Sequence, residues 1–268
     1  MKIKRIISGL ILFPIMAIIL IFGNKYLVDV FISIVAIMSI HEFYKAFKGK
    51  AKPITWTGYL TSGLICFIHL VPAEYILPVI TLAILFNLLV LFTQVVFTNM
   101  KHNITDIAIS LLGICYISFF LVFLPLIRDN LENGKILLWY VFFISWGTDI
   151  FAFFIGGKFG KHKFTDISPN KSIEGCIAGL FGAVISSMIY TIVCNSVWNL
   201  NISYLYIFGI SIFLSIISQI GDLAASSIKR HCKIKDFSNL IPGHGGLLDR
   251  IDSVIFILPF AYFLLSII

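Results

Sequence analysis

Long apolar runs alternate with short charged segments along the whole chain. Nine can be drawn: Ile6–Phe22, Leu27–Phe43, Ile54–Val71, Ile76–Phe97, Ile107–Ile127, Ile136–Phe154, Ile173–Val197, Leu205–Ile228 and Ile251–Ile268. Each falls within the roughly 17–25 residues that a helix needs to cross a bilayer. Several carry internal Gly, Ser or Pro, which helices in lipid tolerate because neighbours re-satisfy the freed backbone groups. The pattern predicts an all-α, polytopic integral membrane protein of about nine transmembrane helices. The first run follows the basic Met1-Lys-Ile-Lys-Arg5, and no small-x-small cleavage pattern comes after it, so it reads as a signal anchor.

Composition supports this class. Hydrophobic residues make up 59% of the 268 and charged residues 12%, against roughly 25% charged in soluble domains. So few charges could not cover a soluble surface. The five cysteines are scattered with no CxxC pair, which argues against a disulfide framework or a zinc site and fits small apolar residues in helices.

The net charge of +7 is unevenly placed. With the N-terminus inside and nine crossings, 17 of the 20 Lys and Arg fall in inner segments, and only Lys25, Arg128 and Lys135 fall outside. That asymmetry predicts an N-in, C-out topology. The run of lysines from Lys45 to Lys52 reads as topology and contact with anionic headgroups. Organisation is expected as one membrane domain, with 1–130 as a helical scaffold and 136–268 carrying the chemistry.

The polar residues inside this frame are concentrated between the last two runs, from Asp222 to Asp252. On a helix, Asp222, Ser226 and Lys229 stand at i, i+4 and i+7 and share one face. Pro242-Gly243-His244-Gly245-Gly246 cannot stay helical, and its glycines let backbone N–H groups approach a ligand. A further helix is expected from about Leu247, with Asp249 and Asp252 one turn apart. Asp222 and Asp249 are two carboxylates that could converge on one divalent cation, and hard oxygen donors without a His/Cys cluster favour Mg²⁺. Lys229, Arg230 and Arg250 beside them would neutralise phosphates. The block reads as a metal–nucleotide site.

A second group lies after the sixth run: Gly156-Gly157-Lys158-Phe-Gly160-Lys161-His162-Lys163, then Ser168-Pro169-Asn170-Lys171-Ser172-Ile-Glu174-Gly175. It lacks P-loop spacing, yet a Gly/Lys loop feeding a helix start can cradle an anion. Asp149, Ala152 and Gly156 share a face, placing a carboxylate within the sixth run above a small-residue stripe, and an intramembrane acid calls for a wet cavity, a partner or a cation. His41-Glu42 reads as a helix-end hydrogen bond rather than as catalysis. Gly175, Gly179 and Ala183 form a small-residue face that would allow a homodimer.

Ser226-x-Ile-Lys-Arg230, then Lys235-Asp236-x-Ser238-x-x-Leu-Ile241-Pro242-x-His244-Gly-Gly-Leu-x-Asp249-Arg250-Ile-Asp252, resembles the signature of the phosphatidate cytidylyltransferase, or CDP-diacylglycerol synthase, family. The likeness extends upstream through Gly221-Asp222 and the Ser168–Gly175 loop. There the family commonly has Ser-Pro-Lys-Lys-Thr, and this chain has Asn170 and Ser172. The resemblance implies transfer of CMP from CTP to phosphatidate, giving CDP-diacylglycerol and pyrophosphate, with an active site facing the cytoplasm of a bacterial inner membrane. It supports Asp222 and Asp249 as Mg²⁺ ligands, with a second cation beside them left open. Lys171, Lys229, Arg230 and Arg250 are then the phosphate clamps, while Ser226 and His244 orient oxygens. Ser168, Glu174, Asp149, Lys235, Asp236, Gly245, Gly246 and Asp252 complete the substrate-binding set. CTP, phosphatidate and the membrane are the partners implied, and nucleic acid is not among them. Two alternatives stay open: a CTP-dependent polyprenol kinase, built from similar parts, and a cation transporter, which would explain Asp149 and Asp222 but not the surrounding cations.

Overall fold

A computed structural model describes residues 13–98, 101–169, 171–241 and 245–268. The elements are helices: α1 Phe13–Phe22, α2 Lys25–Ala46, α3 Thr55–Leu64, α4 Ala73–Phe97, α5 Ile104–Gly113, α6 Phe123–Asn130, α7 Gly134–Phe159, α8 Ile173–Val197, α9 Tyr204–His231 and α10 Leu248–Leu265. Among the described residues β pairing is confined to isolated bridges such as Lys163 with Ser172. Among the described residues six helical stretches are long and apolar enough to cross a membrane, Ile104–Asn130 taken as one. The chain is an all-α, polytopic integral membrane protein. Lys2, Lys4, Arg5 and the start of the expected signal-anchor run, residues 6–12, lie outside the described residues.

Local departures from ideal helix occur in the third and fifth runs. α3 tightens into a 3₁₀ helix over Ile65–Leu70, ending at Val71 with ψ 130°, the extended conformation that a following proline, Pro72, imposes. The tighter winding lengthens the segment: ten α and six 3₁₀ residues rise about 27 Å. Between α5 and α6 the chain is π-helical over Ile114–Phe119.

The described chain forms two compact units, one from Met1–Pro125 with His231–Ile251 and the other from Leu126–Arg230 with Asp252–Ile268. In the first, α2 is the central helix. Its Tyr44 hydroxyl donates to Ser110 O at 2.8 Å, and Gly58 and Gly113 accommodate that ring, since a Cβ on either would meet it within 2.8 Å. The buried Asp29 carboxylate pairs with His69 Nδ1 at 2.7 Å.

In the second unit, α7 and α8 pack backbone to backbone. A Cβ on Gly182 would sit 2.4 Å from Gly147 O, and one on Gly175 would sit 3.1 Å from the Gly156 Cα. The small-residue face Gly175–Gly179–Ala183, expected from sequence to be open to a second copy, is occupied within the chain at both glycines: Gly175 meets Gly156 and Gly179 meets Thr148, and Ala183 is fully buried. Hydroxyls cross-link the remaining helices: Thr148 to Ser215 at 2.7 Å, Ser187 to Ser211 at 2.7 Å, and Ser145 to Ser253 at 3.2 Å. Such bonds give helices in hydrocarbon the directional attraction that apolar side chains, equally at home in lipid, do not.

Candidate active site

In the second unit the loop after α7 is folded by its own polar groups. Ser172 caps α8 by accepting the Gly175 N–H at 3.1 Å. Glu174, in the first turn of α8, accepts the backbone N–H groups of Lys161 and His162 at 3.2 and 3.3 Å and the His162 ring at 2.6 Å. Ile173 N–H donates to His162 O, and Phe164 N–H to Lys171 O, both at 2.9 Å. This reversal fixes Lys171 at the foot of α8, and its ammonium pairs with Asp222 of α9. Glu174 holds the loop, and Ser168 bonds it at its far end through the Lys171 N–H at 2.9 Å. Asn170 lies outside the described residues.

Helix α9 runs unbroken to His231, so Asp222, Ser226 and Lys229 do share a face. Gly221, beside Asp222, lets α9 approach α10: a Cβ there would lie 2.9 Å from Asp252 O and 2.8 Å from Phe256 Cβ. Lys229 Nζ is 3.8 Å from the buried Asp252 carboxylate. Arg230 Nε donates to Ile167 O in the loop at 3.3 Å. Asp149 is exposed, accepts Ser253 Oγ at 3.5 Å, and lies within electrostatic range of Asp222 and Lys171. The unit thus gathers Asp149, Lys171, Asp222, Lys229, Arg230 and Asp252, with half-buried Ser226 on the same helix face as Asp222.

The first unit holds the rest of the signature, and here sequence reasoning missed the organising residue. Glu42 of α2 is 3% exposed. Its Oε1 accepts Ser238 Oγ at 2.5 Å and Leu247 N–H at 3.0 Å, and its Oε2 accepts Leu248 N–H at 2.9 Å. The expected helix-end bond exists, but the end belongs to α10, whose orphan N–H groups and positive dipole end favour a carboxylate. No local signal names a partner some 200 residues away. Asp249 Oδ2 accepts Phe237 N–H at 2.8 Å and Gly246 N–H at 3.0 Å. A Cβ on Gly246 would sit 2.5 Å from Glu42 Oε2, and Gly245 has φ +85°, with the Asp236 carboxyl beside it. Lys235, Asp236 and Arg250 are exposed. Pro242, Gly243 and His244 lie outside the described residues, bracketed by Ile241 and Gly245, which are bridged at 2.9 Å.

The second unit thus holds two lysines, each against a carboxylate, and an arginine bonded to the loop, and the first unit holds a glycine turn at a helix start. The sequence profile described as the Cytidylyltransferase family matches residues 3–268. The chain belongs to that family. Proteins named phosphatidate cytidylyltransferase are similar to it. The one from Bacillus subtilis (strain 168) is 38% identical over 183 residues, 68% of this chain and 66% of that protein. The one from Thermotoga maritima is 35% identical over 194 residues, 71% of each chain. The one from Staphylococcus aureus (strain COL) is 37% identical over 180 residues, 66% of this chain and 65% of that protein. The matched stretches thus span about two thirds of the length of these relatives. The signature residues Ser226 to Asp252 fall inside the family match.

Proposed function

We propose that this chain transfers CMP from CTP to phosphatidate at the membrane face, giving CDP-diacylglycerol and pyrophosphate for phospholipid synthesis. The observation that carries the reading is the Lys171–Asp222 and Lys229–Asp252 pairing around one face of α9, in a chain of this family. A phosphate oxygen of the lipid bonds to the α-phosphorus of CTP, and the bond from that phosphorus to the bridging oxygen breaks, with pyrophosphate leaving. The nucleophile is already anionic, so no strong general base is required. The obstacle is charge: two unit charges about 4 Å apart repel by about 4 kcal/mol at an effective dielectric near 20.

The residues answer that obstacle. Lys171, Lys229, Arg230 and Arg250 clamp phosphate oxygens, the two lysines exchanging their carboxylates for the triphosphate. Ser226 and His244 orient oxygens, and the Gly245–Gly246 turn shapes the entrance to α10, its Gly246 N–H held by Asp249. Among the described residues there is no group of three or more His, Cys, Asp or Glu side chains fit to hold a metal ion. Hard carboxylate oxygens in ones and twos suit Mg²⁺, which usually takes one or two carboxylates plus substrate phosphates. Asp222 and Asp249 are the ligands proposed from the signature. The bound ion would neutralise developing charge on the phosphates. A second cation, the nine-crossing N-in, C-out topology and a cytoplasm-facing site in a bacterial inner membrane belong to the same proposal, the topology supported by the Lys/Arg asymmetry; a homodimer would have to use a surface other than the small-residue face, which α7 fills at Gly175 and Gly179.

The test uses detergent-purified protein, phosphatidate, Mg²⁺, and CTP labelled separately in the cytosine and the γ-phosphate. Cytosine label entering the lipid, with γ-label released as pyrophosphate, is the expected result. γ-Label entering a polyprenol would replace the reading with a lipid kinase, and label in neither would point to transport.

A further inference from the structure

The first unit contains a cavity of about 960 Å³ between α2, α3 and the Asp236–Leu240 segment. Its wall changes character along α2. Ile37 and Met38 are exposed hydrocarbon, and just beyond them His41 and Lys45 are exposed, four residues apart and so on one face. Tyr59 of α3 shares its hydroxyl with His41 Nδ1 at 2.8 Å, which orients the ring. On the opposite side the segment supplies Ser238 and Asn239, then Leu240, which is 51% exposed. Two acids border the space. Glu42 is buried, and its two oxygens accept three hydrogen bonds. Asp236 is exposed, with its carboxyl beside Gly245.

The cavity is therefore amphiphilic in a fixed direction, hydrocarbon toward the middle of α2 and polar toward its end, where the Lys45 ammonium and the His41 ring stand beside Asp236 and a Glu42 carboxylate already taken up by three donors. A soluble nucleotide has no use for the apolar wall, and an acyl chain alone has none for the lysine. We propose that this cavity receives the headgroup of the lipid substrate, with Lys45 and His41 contacting its phosphomonoester and Ile37, Met38 and Leu240 contacting the chain ends nearest the glycerol. The assignment deepens the cytidylyltransferase reading and rests on it. Its volume lies at the upper end of the range of about 300–1,000 Å³ usual for ligand sites. A lysine on a phosphate oxygen makes a charge-assisted bond about twice as strong as a neutral one. Glu42 ties the Ser238 side of the cavity to α2, so the two walls are held together.

The experiment measures KM for phosphatidate, as surface fraction in mixed micelles, and KM for CTP in the full-length protein. Lys45→Ala is expected to raise the lipid KM about tenfold, with the CTP KM within about twofold of the parent, and Lys45→Arg to restore it. A photoreactive phosphatidate should label Ile37–Lys45 and Asn239–Leu240 in the unmodified protein, competed by phosphatidate and not by phosphatidylcholine or inorganic phosphate. An unchanged lipid KM in the Lys45→Ala, His41→Ala double variant, or labelling confined to other segments, overturns the assignment. Competition by inorganic phosphate alone makes it a free-phosphate site instead. Labelling here by a protein that transfers no CMP would sink the activity reading and leave the lipid site standing.

Discussion

Glu42 accepts the backbone N–H of Leu248 at 2.9 Å across 206 residues of sequence. With Leu247 N–H and Ser238 Oγ on its other oxygen, it caps α10 from another helix. Removing it strands buried donors, each costing about 1–3 kcal/mol. Glu42→Ala is expected to lower the melting temperature in detergent by several degrees and turnover by at least tenfold. Glu42→Gln keeps one acceptor but turns an amide N–H toward a backbone N–H, so it should recover only part of the loss. Thermal unfolding and CTP turnover on the three proteins check this, and a Gln variant equal to the parent would show that one acceptor is enough.

The Lys171–Asp222 pair makes a different prediction. Both side chains are partly exposed, 25% and 31%, so the pair itself contributes about 0–1 kcal/mol to stability. If its purpose is substrate, Lys171→Met should raise the CTP KM at least tenfold and Asp222→Asn should abolish turnover, with melting temperatures little changed. Joining the two should rescue nothing. Activity regained in the double variant would mean that the pair is structural.

How much of this was legible beforehand varies with the range of the interaction. The apolar runs, the all-α class and the Asp222–Ser226–Lys229 face depend on spacing within one helix, which period 3.6 reveals. The Ile173–Val197 run follows from its apolar length, and α8 spans those residues. Glu42 bonding Leu248, and Lys229 facing Asp252, depend on which helices pack together, and nothing local encodes that. The small-residue stripe shows the same limit. Sequence says that a backbone can come close at Gly175 and Gly179, but not whether α7 or a second copy does so. Lys45 read as a topology charge because its neighbour across the cavity is almost 200 residues away.

Glycines at the α10 entrance are needed for two separate reasons. At Gly245 φ is +85°, which a side chain tolerates poorly, and at Gly246 a Cβ would sit 2.5 Å from the Glu42 carboxylate. Gly245→Ala and Gly246→Ala are each expected to cut turnover by about tenfold to a hundredfold. Gly209→Ala in α9, where a Cβ meets nothing within 4 Å, should leave turnover unchanged and stabilise by up to about 1 kcal/mol. Normal turnover in Gly246→Ala would show that Glu42 yields without cost.

Asp249 serves two purposes on this reading, and they can be separated. Its Oδ2 holds Phe237 and Gly246 by their N–H groups, while the signature makes the same carboxylate a Mg²⁺ ligand. A carboxylate has about four lone-pair sites, and the two N–H groups use two of them. Asp249→Asn keeps a carbonyl oxygen for both N–H groups but loses the charge. It should therefore keep the parent's melting temperature while losing turnover by at least a hundredfold, and EDTA should reproduce that loss in the parent until Mg²⁺ is restored. Asp249→Ala should lose both turnover and stability, the latter by about 1–3 kcal/mol for each of the two stranded donors, while still inserting in the membrane. An Asn variant with near-normal turnover would remove the metal role and leave Asp249 as a loop anchor alone.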